Sequence, residues 1–440
     1  MSSVPVVREA LVVEAKAKGR FLAWGLTWIS YATYYFGRKG ISVAKSSIAE
    51  SFGKDALRGV DTVYLAAYAV GQYVNGFLGD RVGARRLVGV GMLVSALACL
   101  WFGLSSVGIA FLLAFGVNGF AQSSGWPGNV KAMSEWTTPK NRGRVMGFWA
   151  TCYQVGGIAA TWFATIMLAA YGWRAAFWGP SVVVGLVGAL VLLFLKPGPG
   201  AEAGTGAEAQ TGTGAGAEAG AGAEADADAD AVADALALAA KRRVERGRVL
   251  RSRTVWCYGA SYFGMKLIRY SILFWLPFYL STALHYSKNH AGYMSTSFEI
   301  GGVLGTIGMG MLSDRYRRIP RSMFAASWLL LLSGAIFLYA QIGATGMVTN
   351  FFVMALVGAL LFGPDSLISG AAAQDAGGPY AAATAAGTVN AIGSVGAIAQ
   401  EFVTRGVSER YGWDKLFYVF VALAFVSAIC LVPTFRTRGR

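Results

Sequence analysis

The sequence predicts an all-α polytopic membrane protein, with twelve transmembrane helices arranged as two pseudo-symmetric six-helix bundles. Three observations carry this prediction. Of 440 residues, 55% are hydrophobic and only 14% charged, whereas a soluble chain of this size carries about 25% charged residues. Twelve apolar segments are long enough to cross a bilayer, which takes about 17 to 25 residues each. The second six of these segments repeat the first six.

In chain order the spans are expected at 21 to 48, 60 to 79, 87 to 105, 108 to 131, 144 to 170 and 174 to 195. They continue at 254 to 282, 291 to 313, 322 to 341, 346 to 371, 382 to 405 and 414 to 435. The corresponding units are a cytoplasmic N-terminal segment at 1–20, an N-terminal bundle at 21–196 and a cytoplasmic low-complexity linker at 197–253. A C-terminal bundle at 254–435 and a cytoplasmic tail at 436–440 complete the chain. The first part of the linker is rich in Ala, Gly and Glu and cannot bury a core, so it reads as flexible. From about residue 225 it becomes Ala/Leu-rich, with acids early and bases late, a polarity that suits a helix.

The repeat is visible in short matches. "GDRVGARR" at 79–86 follows the second span and "SDRYRRIPR" at 313–321 follows the eighth. "VGGIAA" at 155–160 is echoed by "VGAIAQ" at 395–400, and "YGWRAAFW" at 171–178 by "YGWDKLFY" at 411–418. The offsets are 234, 240 and 240 residues, so one six-helix unit occurs twice in the same orientation.

The net charge of +15 does not indicate a nucleic-acid partner. The basic residues concentrate in alternate loops, and the positive-inside rule then places both termini in the cytoplasm. Residues 1–20 are charged and the first apolar run is too long for a signal-peptide core, so the first helix is expected to act as its own insertion signal. The four cysteines fall in four different spans without metal-like spacing and read as small apolar side chains. No phosphate-cradling loop for ATP, no nucleophile with base and orienter, and no metal cluster is evident, so neither an enzyme nor a cofactor is expected.

Charges inside the spans carry the functional signal, because an ionisable residue at the bilayer centre costs roughly 2.5 to 3.5 kcal/mol and usually faces a bundle interior or aqueous path. Here they are Arg38, Lys39, Lys266, Arg269, Glu299 and Asp365. At about 100° per residue, Tyr31, Tyr35 and Arg38 share one helix face. Tyr258, Tyr262, Lys266 and Arg269 share another in the seventh span. Arg38 and Arg269 lie 231 residues apart, so they occupy equivalent places in the two halves. Two facing guanidinium groups suit an anion, since each forks onto phosphate or carboxylate oxygens.

Two parallel six-helix halves joined by a long loop resemble the major facilitator superfamily, where substrate binds between halves that rock to alternate access. "YATYYFGRKG" (31–40), "GWP" (125–127), "KLIRYSILFWLPFYL" (266–280), "FEIGG" (298–302) and "FGPDSLIS" (362–369) resemble its organophosphate:phosphate antiporters. The likeness is nearest to the sugar-phosphate exchanger branch. It implies phosphate binding by Arg38 and Arg269, a pocket lined by Tyr31 and Tyr35, and a switching charge network containing Lys39 and Glu299. It also implies that Asp80 and Arg81, with Asp314 and Arg315, bind helix ends in a conformation-dependent way. Gln72 and Tyr153 stand where the glycerol-3-phosphate subgroup carries lysine and histidine, Phe274 where it carries aspartate, and Lys266 where it carries tyrosine. The residues reading the organic part of the substrate therefore differ from that subgroup.

The leading expectation is a monomeric antiporter of a bacterial cytoplasmic (inner) membrane, exchanging an anionic organophosphate for inorganic phosphate. Its substrate contacts would be Arg38, Arg269, Lys266, Tyr31, Tyr35, Tyr262, Tyr153 and Gln72, with Lys39, Glu299, Asp365, Asp80, Arg81, Asp314 and Arg315 in the charge network. Two alternatives are a proton-coupled carboxylate transporter using Glu299 or Asp365, and a transporter-like organophosphate sensor.

Overall fold

The computed structural model describes residues 4–57, 59–199, 221–286 and 288–436. The low-complexity stretch at 200–220 and the tail from 437 lie outside them. Among the described residues the regular structure is entirely helical. Among the described residues six helices are long and apolar enough to cross a bilayer: Ala84–Leu104, Arg142–Tyr171, Ala175–Phe194, Arg321–Ile342, Met347–Tyr411 and Trp413–Thr434. Met347–Tyr411 spans the tenth and eleventh expected segments, and it departs from helical geometry at Gly378 (φ 59°) and Ala381.

The expected spans outside this set are the first, second, fourth, seventh and eighth. Each carries polar or charged side chains within its apolar stretch, among them Arg38, Gln72, Asn118, Lys266 and Glu299. Two are also interrupted. The first is built from Val4–Tyr34 and Phe36–Phe52, meeting at Tyr35, and the fourth from Gly108–Gln122 and Gly125–Trp136, meeting at Ser123 and Ser124. These departures from plain hydrophobicity mark the helices that face the interior.

The two halves meet through two helix pairs that echo the sequence repeat. Val60–Val82 packs on the helix that follows Ala381, with Gly76 against Gly387, and Arg142–Trp149 packs on Lys288–Arg315, with Gly147 against Gly310. A Cβ on Gly387 would lie 2.5 Å from the Gln72 carbonyl oxygen and 2.6 Å from the Gly76 Cα. Only hydrogen at these positions lets the backbones approach so closely, which is how membrane helices pack where burial of apolar surface gives no drive.

Just beyond each glycine crossing, a carboxylate caps the facing helix. Asp80 accepts from the backbone N–H of Ala383 (3.2 Å) and Thr384 (2.8 Å) and from the Thr384 hydroxyl (2.6 Å). Asp314 accepts from the backbone N–H of Gly143 (3.0 Å) and Arg144 (2.6 Å). The two first-turn N–H groups left over in each helix are thereby satisfied by the opposite half. Around them Arg321 binds Asp375 (2.8 Å), Asp314 (3.2 Å) and the Pro139 carbonyl (3.1 Å). Arg142 also binds Asp375, and Lys131 donates to the Pro379 carbonyl at 2.8 Å. All of these lie on the side that carries the linker, so the bundle is closed there.

The arginines of the two repeated loops depart from expectation. Arg81 is exposed and lies over the Phe77 ring at 4.3 Å, and Arg315 is exposed beside Tyr316. Each follows its aspartate by one residue, about 100° further round the helix, so the aspartate alone points across the interface. Arg142 and Arg321 supply the cations instead.

The linker reads as helical late in its length, and a helix is found at Ala221–Leu250. Its basic end docks on the closed side, with Lys241 over the Tyr380 ring (4.9 Å) and Arg246 over Phe77 (4.5 Å).

Candidate functional site

The break at Tyr35 sets the geometry of Arg38. The Tyr35 amide bonds to Ala32 three residues back, and the Tyr35 carbonyl accepts from both Arg38 (3.1 Å) and Lys39 (3.0 Å). This tightened turn carries Arg38 onto the Tyr35 ring at 4.5 Å, with the Tyr68 ring at 5.5 Å. The glycine beside it is required: a Cβ on Gly37 would lie 2.6 Å from Gln122 Nε2. That close approach lets the Gly37 carbonyl accept from Asn118 Nδ2 at 2.7 Å.

Arg38 Nε donates to Gln122 Oε1 at 2.8 Å, and the same oxygen accepts from the Tyr64 hydroxyl at 2.9 Å. Gln122 is held in turn by Asn118 Oδ1 (3.0 Å) and Ser95 Oγ (3.3 Å). The guanidinium is thus oriented by neutral groups. Its Nη2 is buried and has no hydrogen-bond partner.

Arg269 is held differently. Its Nη1 donates to both oxygens of Asp365, at 3.1 and 3.3 Å, and its plane lies 4.5 Å from the Phe362 ring and 4.7 Å from the Tyr153 ring. Its Nε is buried without a partner. Three residues earlier, Lys266 Nζ donates to Asn390 Oδ1 (2.5 Å) and Ser394 Oγ (3.1 Å), with the Tyr262 ring at 5.2 Å.

The two arginines share neighbours. Tyr35 interacts electrostatically with both guanidinium groups, and so does Tyr270. The Tyr68 ring lies 5.5 Å from the Arg38 guanidinium and 6.0 Å from the Lys266 ammonium. An aromatic wall adjoins this centre. The Tyr31 ring is edge-on to Trp126 (5.2 Å) and tilted against Trp149 (5.6 Å), and Tyr153 stacks on Phe362 (6.1 Å). The indole N–H groups of that wall are already used, Trp126 on the Ser369 carbonyl and Trp149 on the Thr27 hydroxyl. The Tyr153 hydroxyl is buried and unpartnered.

Of the remaining expected residues, Lys39 and Glu299 interact electrostatically across the interface beyond ion-pair contact, and Glu299 also senses Arg269. Gln72 is fully buried at the Gly76/Gly387 crossing, and neither atom of its amide has a partner. Asp80 and Asp314 lie at the helix caps on the side that carries the linker rather than at this centre.

Sequence reasoning missed Gln122, Asn118, Tyr64, Tyr68 and Tyr270 at the centre. Asn118 and Gln122 are four residues apart, one helical turn, inside an otherwise apolar segment, and that spacing was the signal available. It also missed Asp375, Arg142, Arg321 and Lys131 at the gate, where the sequence shows only loop charge.

The chain is 31% identical to the putative glycerol-3-phosphate transporter 1 of Arabidopsis thaliana, over 92% of this chain and 86% of that one. It is 28% identical to sugar phosphate exchanger 3 of Gallus gallus (93% and 90% covered) and 27% identical to a glucose-6-phosphate exchanger of Mus musculus (92% and 90% covered). Its fold matches the solved structure of the proton:xylose symporter XylE bound to 6-bromo-6-deoxy-D-glucose, with a TM-score of 0.73, 14% identity, and 97% and 98% of the two chains covered. The Major Facilitator Superfamily model matches residues 27–400, and the chain is a multi-pass membrane protein that belongs to that family.

Proposed function

We propose that this protein exchanges a phosphorylated metabolite, a sugar phosphate or three-carbon phosphate ester, for inorganic phosphate by alternating access. The observation that carries the reading is the pair of buried, unpartnered guanidinium edges, Nη2 of Arg38 and Nε of Arg269, one in each half. A buried donor left unmade costs about 1–3 kcal/mol, more when charged, and a phosphate oxygen satisfies each. The names of the relatives support the same substrate class.

Binding draws the halves together because the two arginines sit on opposite sides of the interface. An anion bridging them lowers the energy of the occluded state, which relieves the cost of breaking the gate on the linker side. Inorganic phosphate offers the same oxygens and returns the carrier. The aromatic wall of Tyr31, Trp126, Trp149 and Tyr153 then faces the organic part, with the free Tyr153 hydroxyl as its polar contact. No covalent step is part of this mechanism. In this reading the carrier works as a monomer in a bacterial cytoplasmic membrane, with the twelve spans placing both termini and the linker inside.

Purified protein is expected to be stabilised by sugar phosphates and by inorganic phosphate. At about 100 times the dissociation constant the gain is about 2.7 kcal/mol, which raises the unfolding midpoint by roughly 2 to 4 °C. Sugar carboxylates at equal concentration are expected to give no shift. Stabilisation by the carboxylates but not the phosphates would select a carboxylate transporter instead.

A further inference from the structure

The linker helix Ala221–Leu250 ends in a run of bases that the positive-inside pattern accounts for only in part. Arg243, Arg248 and Arg251 are exposed there, as solvated anchoring charges should be. Arg246, by contrast, is 4% exposed, and its Nε and Nη1 are buried without a hydrogen-bond partner. A buried donor left unmade is costly, and more so when it is charged. The side chain is seated by the Phe77 ring at 4.5 Å, and Val249, nearly one turn further along the linker helix, is buried with it.

The surroundings of Arg246 are cationic. Arg81 lies over the same Phe77 ring at 4.3 Å, so two guanidinium groups rest on one aromatic ring. Arg242 and Arg243 also act electrostatically on Arg246. The carboxylate that acts on it is Asp80, whose two oxygens are engaged by Ala383 and Thr384. Glu245, on the linker helix itself, pairs with Arg248 at 3.0 Å. Glu135, which Arg242 faces, is bound by Lys131 at 3.4 Å. Like charges gathered without a counter-ion repel one another. An anion beside the Phe77 ring relieves that repulsion and satisfies the unmade donors.

The kind of anion follows from where the ring stands. Phe77 and Arg81 lie in the last turns of Val60–Val82, at its linker-side end. On that helix Val70, Val74, Leu78 and Val82 recur every four residues and are all exposed, which in a membrane protein is a face for lipid chains. Arg81 stands at the end of this stripe, where chain gives way to headgroup. A lipid lying along the stripe brings its phosphate to the two arginines. We infer that the linker helix and Val60–Val82 together form a binding site for the phosphate of an acidic phospholipid, with Arg81 and Arg246 as its ligands. The neighbouring carboxylates are already engaged, so none is left for the ammonium group of a zwitterionic headgroup. Lys241 of the same linker helix lies on Tyr380 of the C-terminal half, so the bound lipid ties the linker across the closed side. This site is separate from the central one and does not depend on what the carrier transports.

Native mass spectrometry of the full chain in neutral detergent, with phosphatidylglycerol and phosphatidylcholine supplied in equal amounts, counts the lipid retained. Wild type is expected to retain phosphatidylglycerol in preference, and equal retention of the two lipids would overturn the proposal. Two arginines at a membrane surface make about a 30-fold difference in affinity for an acidic lipid. Arg81→Gln combined with Arg246→Gln is therefore expected to lower phosphatidylglycerol retention by about that factor and to leave phosphatidylcholine unchanged. Arg251→Gln combined with Arg253→Gln removes two exposed charges from the adjoining chain and is expected to keep the wild-type preference. An equal loss in both pairs would replace the site by diffuse attraction to basic residues.

A soluble anion is the other source of the same chemistry, and inorganic phosphate titrated onto lipid-loaded wild type separates the two. Phosphatidylglycerol that stays bound supports the lipid site. Its displacement by phosphate would assign the two arginines to a free anion and overturn the lipid reading. The preference and the competition are both measured on wild type, so neither needs a variant to fold.

Discussion

Replacing Arg38 by lysine is expected to lower phosphate-ester exchange by about 100-fold or more, although the positive charge is kept. Lysine is a point charge without the planar fork that meets two phosphate oxygens at once. It also loses the donor that Arg38 Nε gives to Gln122 and the plane that lies on Tyr35. Hydrogen bonds to charged groups are worth about 1.5–3 kcal/mol each, and two such losses give at least two decades in rate. Uptake into phosphate-loaded proteoliposomes measures the effect. Stability without ligand should change little, because the lost contacts are few and Nη2 is buried without a protein partner. A variant that exchanges at the wild-type rate would show that Arg38 does not bind the phosphate.

Asp314→Ala is expected to open the side that carries the linker. The carboxylate caps Gly143 and Arg144 and shares Arg321 with Asp375. Removing it leaves two N–H groups unsatisfied across the interface and Arg321 short of a partner. A helix cap alone contributes about 0.5–2 kcal/mol, and with the ionic contact the loss is about 2–3 kcal/mol, a shift of roughly 30- to 160-fold in the closed-to-open ratio. Spin labels at Lys140 and Arg318, both exposed and in opposite halves, report the change as a longer distance population. Asp80→Ala should act in the same direction, since it caps Ala383 and Thr384 in the matched position. An unaltered distance distribution in both variants would contradict the assignment of the two carboxylates as gate locks.

What could be read from the sequence follows from how each feature is encoded. Long apolar runs and matched motifs are local or periodic, so the helical membrane fold and its internal repeat were legible in advance. The repeat also puts Arg38 and Arg269 in register, which is what singles them out in the sequence. Asp80 and Asp314 stood out as a repeated element, but the partner of Asp80 lies 304 residues away in Thr384, and nothing local announces it. Arg81 and Arg315 looked inseparable from their aspartates in the motif, yet one residue of helical rotation turns them outward. The gate cations Arg142 and Arg321 were hidden among the basic residues of the positive-inside pattern. The break at Tyr35 was also invisible, since nothing in "YATYYFGRKG" is a helix breaker before Gly37. It lies beside the packing of Gly37 against Asn118 and Gln122, residues distant in sequence.

The central claim is that one anion site, shared by the two halves, carries phosphate in one direction and its ester in the other. Uptake of labelled sugar phosphate by proteoliposomes loaded with inorganic phosphate, compared with empty ones, tests it most directly. Fast uptake that requires internal phosphate and is matched by phosphate efflux is the predicted result. Uptake of equal rate and extent into empty vesicles would contradict exchange.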